Sequence, residues 1–247
     1  MTLVSLHTTG SQPSTKTWQH IPKNGIVRTF VASRKKYLVF KRSFDIVFSL
    51  FMILVVLSWM VPLLALLIKL DSKGPVFFRQ KRIGKMGRLF TCLKFRTMVP
   101  NNLADEQPAV ERDERITRIG KFLRRVNVDE FPQFFNILLG DMSVIGPRPH
   151  MISDCIRFSF VIHSYQFRSL LKPGITGWAQ VNGYHGVVKD YESIVIRYYW
   201  DAQYIRKAGL FLDFKILSST ILKAFNNIKA ICFQRKRITP AVVEDIS

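Results

Sequence analysis

An apolar run from Ile46 to Ile68, broken only by Ser49, Ser58 and Pro62, constrains this chain more than any other stretch. As a helix rising 1.5 Å per residue it is ~34 Å long, enough to cross a bilayer core of about 30 Å. Charge on its flanks decides how it meets a membrane. Arg28, Arg34, Lys35, Lys36, Lys41 and Arg42 precede it, and Lys69, Lys73, Arg79, Lys81, Arg82, Lys85 and Arg88 follow it. Basic flanks favour the cytoplasmic side, so both ends of the run prefer the same side. A re-entrant helix that dips into one leaflet and returns (residues 46–68) satisfies both. Pro62 supplies the break, because it has no N–H for the Ser58 carbonyl and its ring clashes with that carbonyl. The Ser58 hydroxyl is expected to help satisfy the backbone so freed. A true span and a buried helix of a soluble protein are the competing readings.

Charge also narrows the partners. Lys and Arg number 37 against 17 Asp and Glu, a formal charge of +20, which calls for nucleic acid, anionic lipid or a phosphorylated substrate. Cys92, Cys155 and Cys232 are far apart and form no C-x-x-C, so spacing suggests neither a disulfide framework nor a zinc site, and a reducing compartment fits. Residues 1–39 read as a flexible basic N-terminal tail without the apolar core of a signal peptide. One folded domain then covers 40–230, and 231–247 form a C-terminal tail.

Within that domain the expected fold is α+β and mostly helical. Val76–Phe78 and Leu89–Phe95 read as two short strands of a small β-hairpin around Gly84 and Gly87. Residues 100–114, rich in acids and containing Pro100 and Pro108, suit an exposed loop. Ile116, Ile119, Leu123 and Val126 recur at helical spacing, with Arg118, Lys121, Arg124 and Arg125 on other faces. Phe131, Phe134, Phe135 and Leu138 repeat the spacing up to Gly140. With Asp129 as N-cap of that helix, Pro132 falls in its first turn, where a missing donor costs nothing. Lys172 to Trp178 reads as a loop. Tyr191 to Tyr204 and Leu210 to Ala230 read as amphipathic helices suited to a membrane interface.

The adjacent acids Asp129 and Glu130 carry the chemistry or cap a helix, and both readings fit. In the chemical one, one carboxylate binds Mg²⁺ with retained waters while the other attacks phosphorus. Arg118, Arg124 and Arg148, with Lys94 from the hairpin, then neutralise diphosphate oxygens, for which the planar Arg fork is suited. Pro147 and Pro149 restrict Arg148 on both sides.

FKRSFD before the apolar run, KLDSKGPVFFRQKRIG, LKFRTM, RRVNVDEFPQFFNILLGDMSVIGPRP and KPGITGWAQVNG occur in that order. Together, over roughly residues 40–225, they resemble the monotopic polyprenyl-phosphate phosphoglycosyl transferases of the bacterial sugar transferase superfamily. The resemblance implies an enzyme in the cytoplasmic leaflet of the bacterial inner membrane. It would move a sugar 1-phosphate from a UDP-sugar to undecaprenyl phosphate, releasing UMP and initiating a surface glycan. It further implies that Asp129 is the nucleophile, that Glu130 binds Mg²⁺, and that Lys94, Arg124, Arg148, Arg82 and Gln80 bind phosphate or nucleotide. Two departures stand out: Ser58 is followed by Trp59, with the proline displaced to Pro62, and Tyr184 stands where many members have Arg.

The rival from another class is a membrane-anchored basic adaptor. Juxtamembrane cations alone, at about 1 kcal/mol each, would attach it to anionic lipids. The acid pair argues against it, since carboxylates among phosphate-binding cations oppose anion binding unless metal or covalent chemistry employs them. No nucleic-acid motif is present and none is expected as a partner; a homodimer is compatible with the sequence.

Overall fold

In the computed structural model, which describes residues 33–100, 113–184, 186 and 190–236, one helix runs from Lys35 to Asp71. It begins inside the stretch read as a tail to residue 39. Helix α1 (Lys35–Phe51) passes through a π-helical stretch, Met52–Leu57, into α2 (Ser58–Asp71), which contains Pro62. The Ser58 N–H bonds the carbonyl of Ile53, five residues back. A proline and a π-bulge are both recognised sources of helix bending, and here they occupy neighbouring turns. The break in regular α geometry therefore starts upstream of the Ser58–Pro62 step. Only 17% of the most apolar window is buried. Leu57, Leu64 and Ile68 enter the core, whereas Leu54, Val55, Trp59, Leu63, Leu66 and Leu70 are exposed.

Both ends of this helix are bonded to the rest of the fold. Near its start, Lys41 pairs with Asp213 at 2.7 Å, and Arg42 donates to the carbonyls of Ile137 and Leu138 at 2.6 and 2.9 Å. Asp45 Oδ1 accepts from Ser143 Oγ at 3.0 Å and from the Val144 N–H at 2.9 Å. At the far end, Asp71 accepts from the Ile119 N–H at 2.8 Å, and Arg96 donates to the carbonyls of Ile68, Ser72 and Lys73. Lys41, Arg42 and Asp45 of the FKRSFD segment thus attach the helix to the rest of the fold.

The expected hairpin is present and longer than read. β1 (Phe77–Ile83) pairs antiparallel with β2 (Leu89–Phe95), aligning Phe77 with Phe95 and Ile83 with Leu89. Basic residues at Arg79, Lys81 and Arg82 obscured the second half of β1. Thr117 caps α3 (Arg118–Arg125) by accepting from the Gly120 N–H at 3.0 Å. Gly120 itself faces β2's continuation: a Cβ there would lie 2.0 Å from the Thr97 carbonyl oxygen.

One expectation about the acid pair is corrected. Asp129 does not cap the aromatic helix; it lies in a separate 3-10 turn, Val128–Glu130, and α4 (Gln133–Leu139) starts after Pro132. Asn127, in the left-handed region at φ 57°, redirects the chain before the turn, and Pro132, at φ −58°, opens the next helix. Gly140, at φ 96°, ends it.

Beyond α4 the structure adds a second sheet that was not anticipated. β3 (Ser143–Ile145) pairs parallel with β4 (Gly174–Thr176), inside the stretch read as a loop. Three residues are too few to show an alternation. Helix α5 (Ile152–Val161), a 3-10 helix (Tyr165–Leu170), α6 (Trp178–Val181), α7 (Tyr191–Lys207) and α8 (Leu210–Lys236) complete the order. The protein is mostly helical, as expected, with two small sheets where one hairpin was expected. Most of the acidic loop and of both tails lies outside the described residues.

Candidate active site

The acid pair owes its asymmetry to the 3-10 turn. With three residues per turn, consecutive side chains point ~120° apart, so the two carboxylates meet different surroundings. Glu130 faces a narrow recess lined also by Arg82, Cys92, Lys94, Gln133, Arg148 and Pro149.

Glu130 is fully engaged on one oxygen. Its Oε1 accepts from Lys94 Nζ at 2.6 Å and from Arg148 Nη2 at 2.5 Å, while Oε2 accepts from Arg148 Nη1 at 3.1 Å. Burial pushes its pKa up, but Arg148 and Lys94 together outweigh burial and hold the carboxyl well below the usual carboxylate range. Glu130 in turn raises the Arg148 pKa, so both partners are ionised. A carboxylate offers about four lone-pair sites, and three are used, leaving one on Oε2.

Asp129 contrasts with its neighbour. It is buried, and among the described residues its carboxylate has no hydrogen-bond or ion-pair partner. Burial raises its pKa; Lys94 opposes this, the Glu130 charge adds to it, and Arg124 and Arg148 pull down without reversing the direction. Arg124, on α3, fixes its Nε on Thr97 Oγ1 at 2.8 Å, and Asp129 is the strongest charge acting on it.

The other residues singled out from the sequence divide. Arg82 lines the recess and donates through Nη1 to the Pro149 carbonyl at 3.1 Å. Gln80 is buried behind it: its side-chain oxygen accepts from Arg82 and its nitrogen meets Met151 Sδ at 3.1 Å, so it orients Arg82 rather than facing the recess. Arg118 is exposed on α3 and is not drawn into the group. Asn136 was missed. Buried in α4, it accepts from the Leu93 N–H at 2.9 Å and donates to the Thr91 carbonyl at 2.8 Å, clamping the strand that carries Lys94 to the helix behind the acid pair. A buried Asn amid an aromatic helix was its only sequence signal.

Of the two adjacent acids, Glu130 is held by two cations and Asp129 is buried with its carboxylate unbonded among the described residues. The family model for bacterial sugar transferases matches residues 36–227, and the chain belongs to that family. It is 43% identical over 194 residues to a UDP-glucose:undecaprenyl-phosphate glucose-1-phosphate transferase of Klebsiella pneumoniae, covering 78% of this chain and 42% of that one. An Aeromonas hydrophila UDP-N-acetylgalactosamine-undecaprenyl-phosphate N-acetylgalactosaminephosphotransferase is 46% identical over 158 residues, 64% of this chain and 37% of the relative. The exopolysaccharide production protein PSS of Rhizobium leguminosarum bv. phaseoli is 40% identical over 190 residues, 75% of this chain and 94% of the relative. The chain thus spans about two fifths of the length of the Klebsiella relative and nearly all of the Rhizobium one.

Proposed function

We propose that this chain transfers a sugar 1-phosphate from a UDP-sugar to undecaprenyl phosphate, releasing UMP, through a covalent intermediate on Asp129, and so initiates a surface polysaccharide or glycoconjugate. The observation that carries this is the division of labour in the acid pair: Glu130 is locked by Lys94 and Arg148, while Asp129 has an unbonded carboxylate beside the same cations. An oxygen of ionised Asp129 attacks the phosphorus that bears the sugar, and the bond to the UMP oxygen breaks. Lys94, Arg124 and Arg148 offset charge on the transferring group. The lipid phosphate then attacks the same phosphorus and frees Asp129. Two anionic substrates are thereby handled in turn rather than crowded together. Relatives named for glucose, N-acetylgalactosamine and galactose transfer to undecaprenyl phosphate support the reaction class.

The donor set fits Mg²⁺, which Glu130 would hold through the lone-pair site that Lys94 and Arg148 leave unused. Among the described residues no group of three or more His, Cys, Asp or Glu forms a metal cage. That suits an ion that takes few carboxylates and keeps waters and substrate phosphates. When bound, it would supply charge neutralisation at the diphosphate.

The same reading covers topology. Asp45 and Asp71, at the two ends of the apolar helix, bond to segments on either side of the acid pair in sequence, Ser143–Val144 and Ile119. Attachment of both ends supports a re-entrant course with the site on the cytoplasmic face of the inner membrane. Phe211, Phe214, Ile221, Leu222, Phe225 and Ile228 are exposed on α8 beside Lys215, Lys223 and Lys229, which suits an anionic lipid interface. The test is purified protein with undecaprenyl phosphate, Mg²⁺ and a panel of UDP-sugars including glucose, galactose and N-acetylgalactosamine, following UMP. Release with at least one donor is expected; none with any would return the chain to the adaptor reading.

A further inference from the structure

Three consecutive carbonyls around Arg148 are each held by a donor from elsewhere in the fold. Arg148 O accepts from Arg168 Nη2 at 2.7 Å, Pro149 O from Arg82 Nη1 at 3.1 Å, and His150 O from the Ile83 N–H at 3.2 Å. Proline rings at 147 and 149 lock their own φ angles. Pro149 also restricts the backbone of the residue before it, and Arg168 adds a hydrogen bond to the oxygen of the peptide plane between Arg148 and Pro149.

Arg168 is itself immobilised. It is buried in the 3-10 helix, and its Nε and Nη2 both donate to Asp201 Oδ2 on α7, at 3.0 and 2.7 Å. Its guanidinium lies 5.3 Å from the centre of the Tyr165 ring, and the Tyr165 hydroxyl meets His150 Nδ1 at 2.5 Å. Both members of the Arg168–Asp201 pair are almost wholly buried, with side chains 6% and 2% exposed. A buried ion pair is weak evidence for stability, since apolar residues of similar volume often replace one without loss. An apolar residue could not donate to the Arg148 carbonyl.

We propose that Arg168, fixed by Asp201, is a positioning residue for Arg148: it sets the backbone from which the Arg148 fork reaches Glu130 and faces the recess. The kinetic consequence rests on the reaction proposed above. Misplacing a reacting group by about 1 Å can cost ~100-fold in rate, so the effect belongs in kcat more than in donor KM.

The test is a double-mutant cycle. Arg168→Lys keeps the charge opposite Asp201, but its single ammonium lacks the separate Nε and Nη2 donors of the fork. Its expected effect is a fall in kcat of roughly 10- to 100-fold with donor KM changed little. In an Arg148→Lys background the same substitution should change kcat by less than about threefold, because the group it positions is gone. Equal fold losses in both backgrounds would overturn the proposal. Hydrogen exchange of the Ser143–Cys155 peptide provides a readout independent of turnover. Faster exchange there than in wild type, beyond any change in the peptides that carry Arg168 and Asp201, is expected; unchanged exchange in that peptide overturns the proposal. Should wild type release no UMP, the proposed reaction fails while exchange still decides the positioning role. Asp201→Asn, which keeps the side-chain shape and removes the charge, serves the same measurements if Arg168→Lys fails to fold.

Discussion

Neutralising the two adjacent acids one at a time should move stability in opposite directions. Glu130→Gln leaves Lys94 and Arg148, with side chains 18% and 28% exposed, facing a neutral amide in place of the charge they hold. Removing one partner of a largely buried ion pair costs about 3–5 kcal/mol. At about 2–4 °C per kcal/mol for a chain of this size, Tm should fall by roughly 6–20 °C. Asp129→Asn instead removes a charge that burial disfavours and that no partner holds, so Tm should hold or rise. Acid weakens both effects. The folded pKa of Glu130 is depressed, so its contribution is complete above the ordinary glutamate value of about 4.3 and is lost as pH falls toward the folded value. The folded pKa of Asp129 is raised, so the penalty for ionising it exists at neutral pH and vanishes once it is protonated. Thermal melts by tryptophan fluorescence in nanodiscs, at pH 7 and stepwise below pH 4, follow both effects in both variants. Similar falls in Tm for both variants at pH 7 would refute the asymmetry on which the nucleophile assignment rests.

Gly120→Ala should lower Tm by several degrees and reduce turnover. Its Cβ would lie 2.0 Å from the Thr97 carbonyl, a backbone atom of the residue that holds Arg124; a normal melt would show that α3 can shift. Asp45→Ala strands two buried donors, the Ser143 hydroxyl and the Val144 N–H, at about 1–3 kcal/mol each. Denaturant midpoints should register that loss, and an unchanged midpoint would mean the apolar helix is not attached there. The acid limb of the kcat/KM profile should report Asp129, rising with pH through a midpoint above the ordinary aspartate value of about 3.9, because only the ionised carboxylate attacks. A midpoint at or below that value would assign the limb to another group.

The apolar helix and the hairpin were legible because their signals are local: unbroken hydrophobicity over many turns, and β-branched and aromatic residues bracketing a glycine turn. The acid pair and Arg148 were legible as residues, and their pairing was not. Glu130 and Arg148 are 18 positions apart, and only folding shows that the arginine is spent on one acid and leaves the other free. The N-cap reading of Asp129 failed because Pro132 is equally at home as the residue before a helix, and the left-handed turn at Asn127 has no strong sequence marker. Arg168 and Asp201 carried no local signal, being 33 positions apart and brought together by the packing of α7 against the 3-10 helix. The parallel pair β3–β4 was hidden by its brevity.

The covalent step is tested most directly by mass spectrometry of enzyme quenched after mixing with its preferred UDP-sugar and Mg²⁺, with no lipid acceptor present. The expected result is a sugar-phosphate adduct on Asp129 and up to one equivalent of UMP, both absent in Asp129→Asn. Undecaprenyl phosphate added before the quench should remove the adduct. An unmodified Asp129, with UMP appearing only once lipid is supplied, would mean that both substrates react together in one complex and that Asp129 is not the nucleophile.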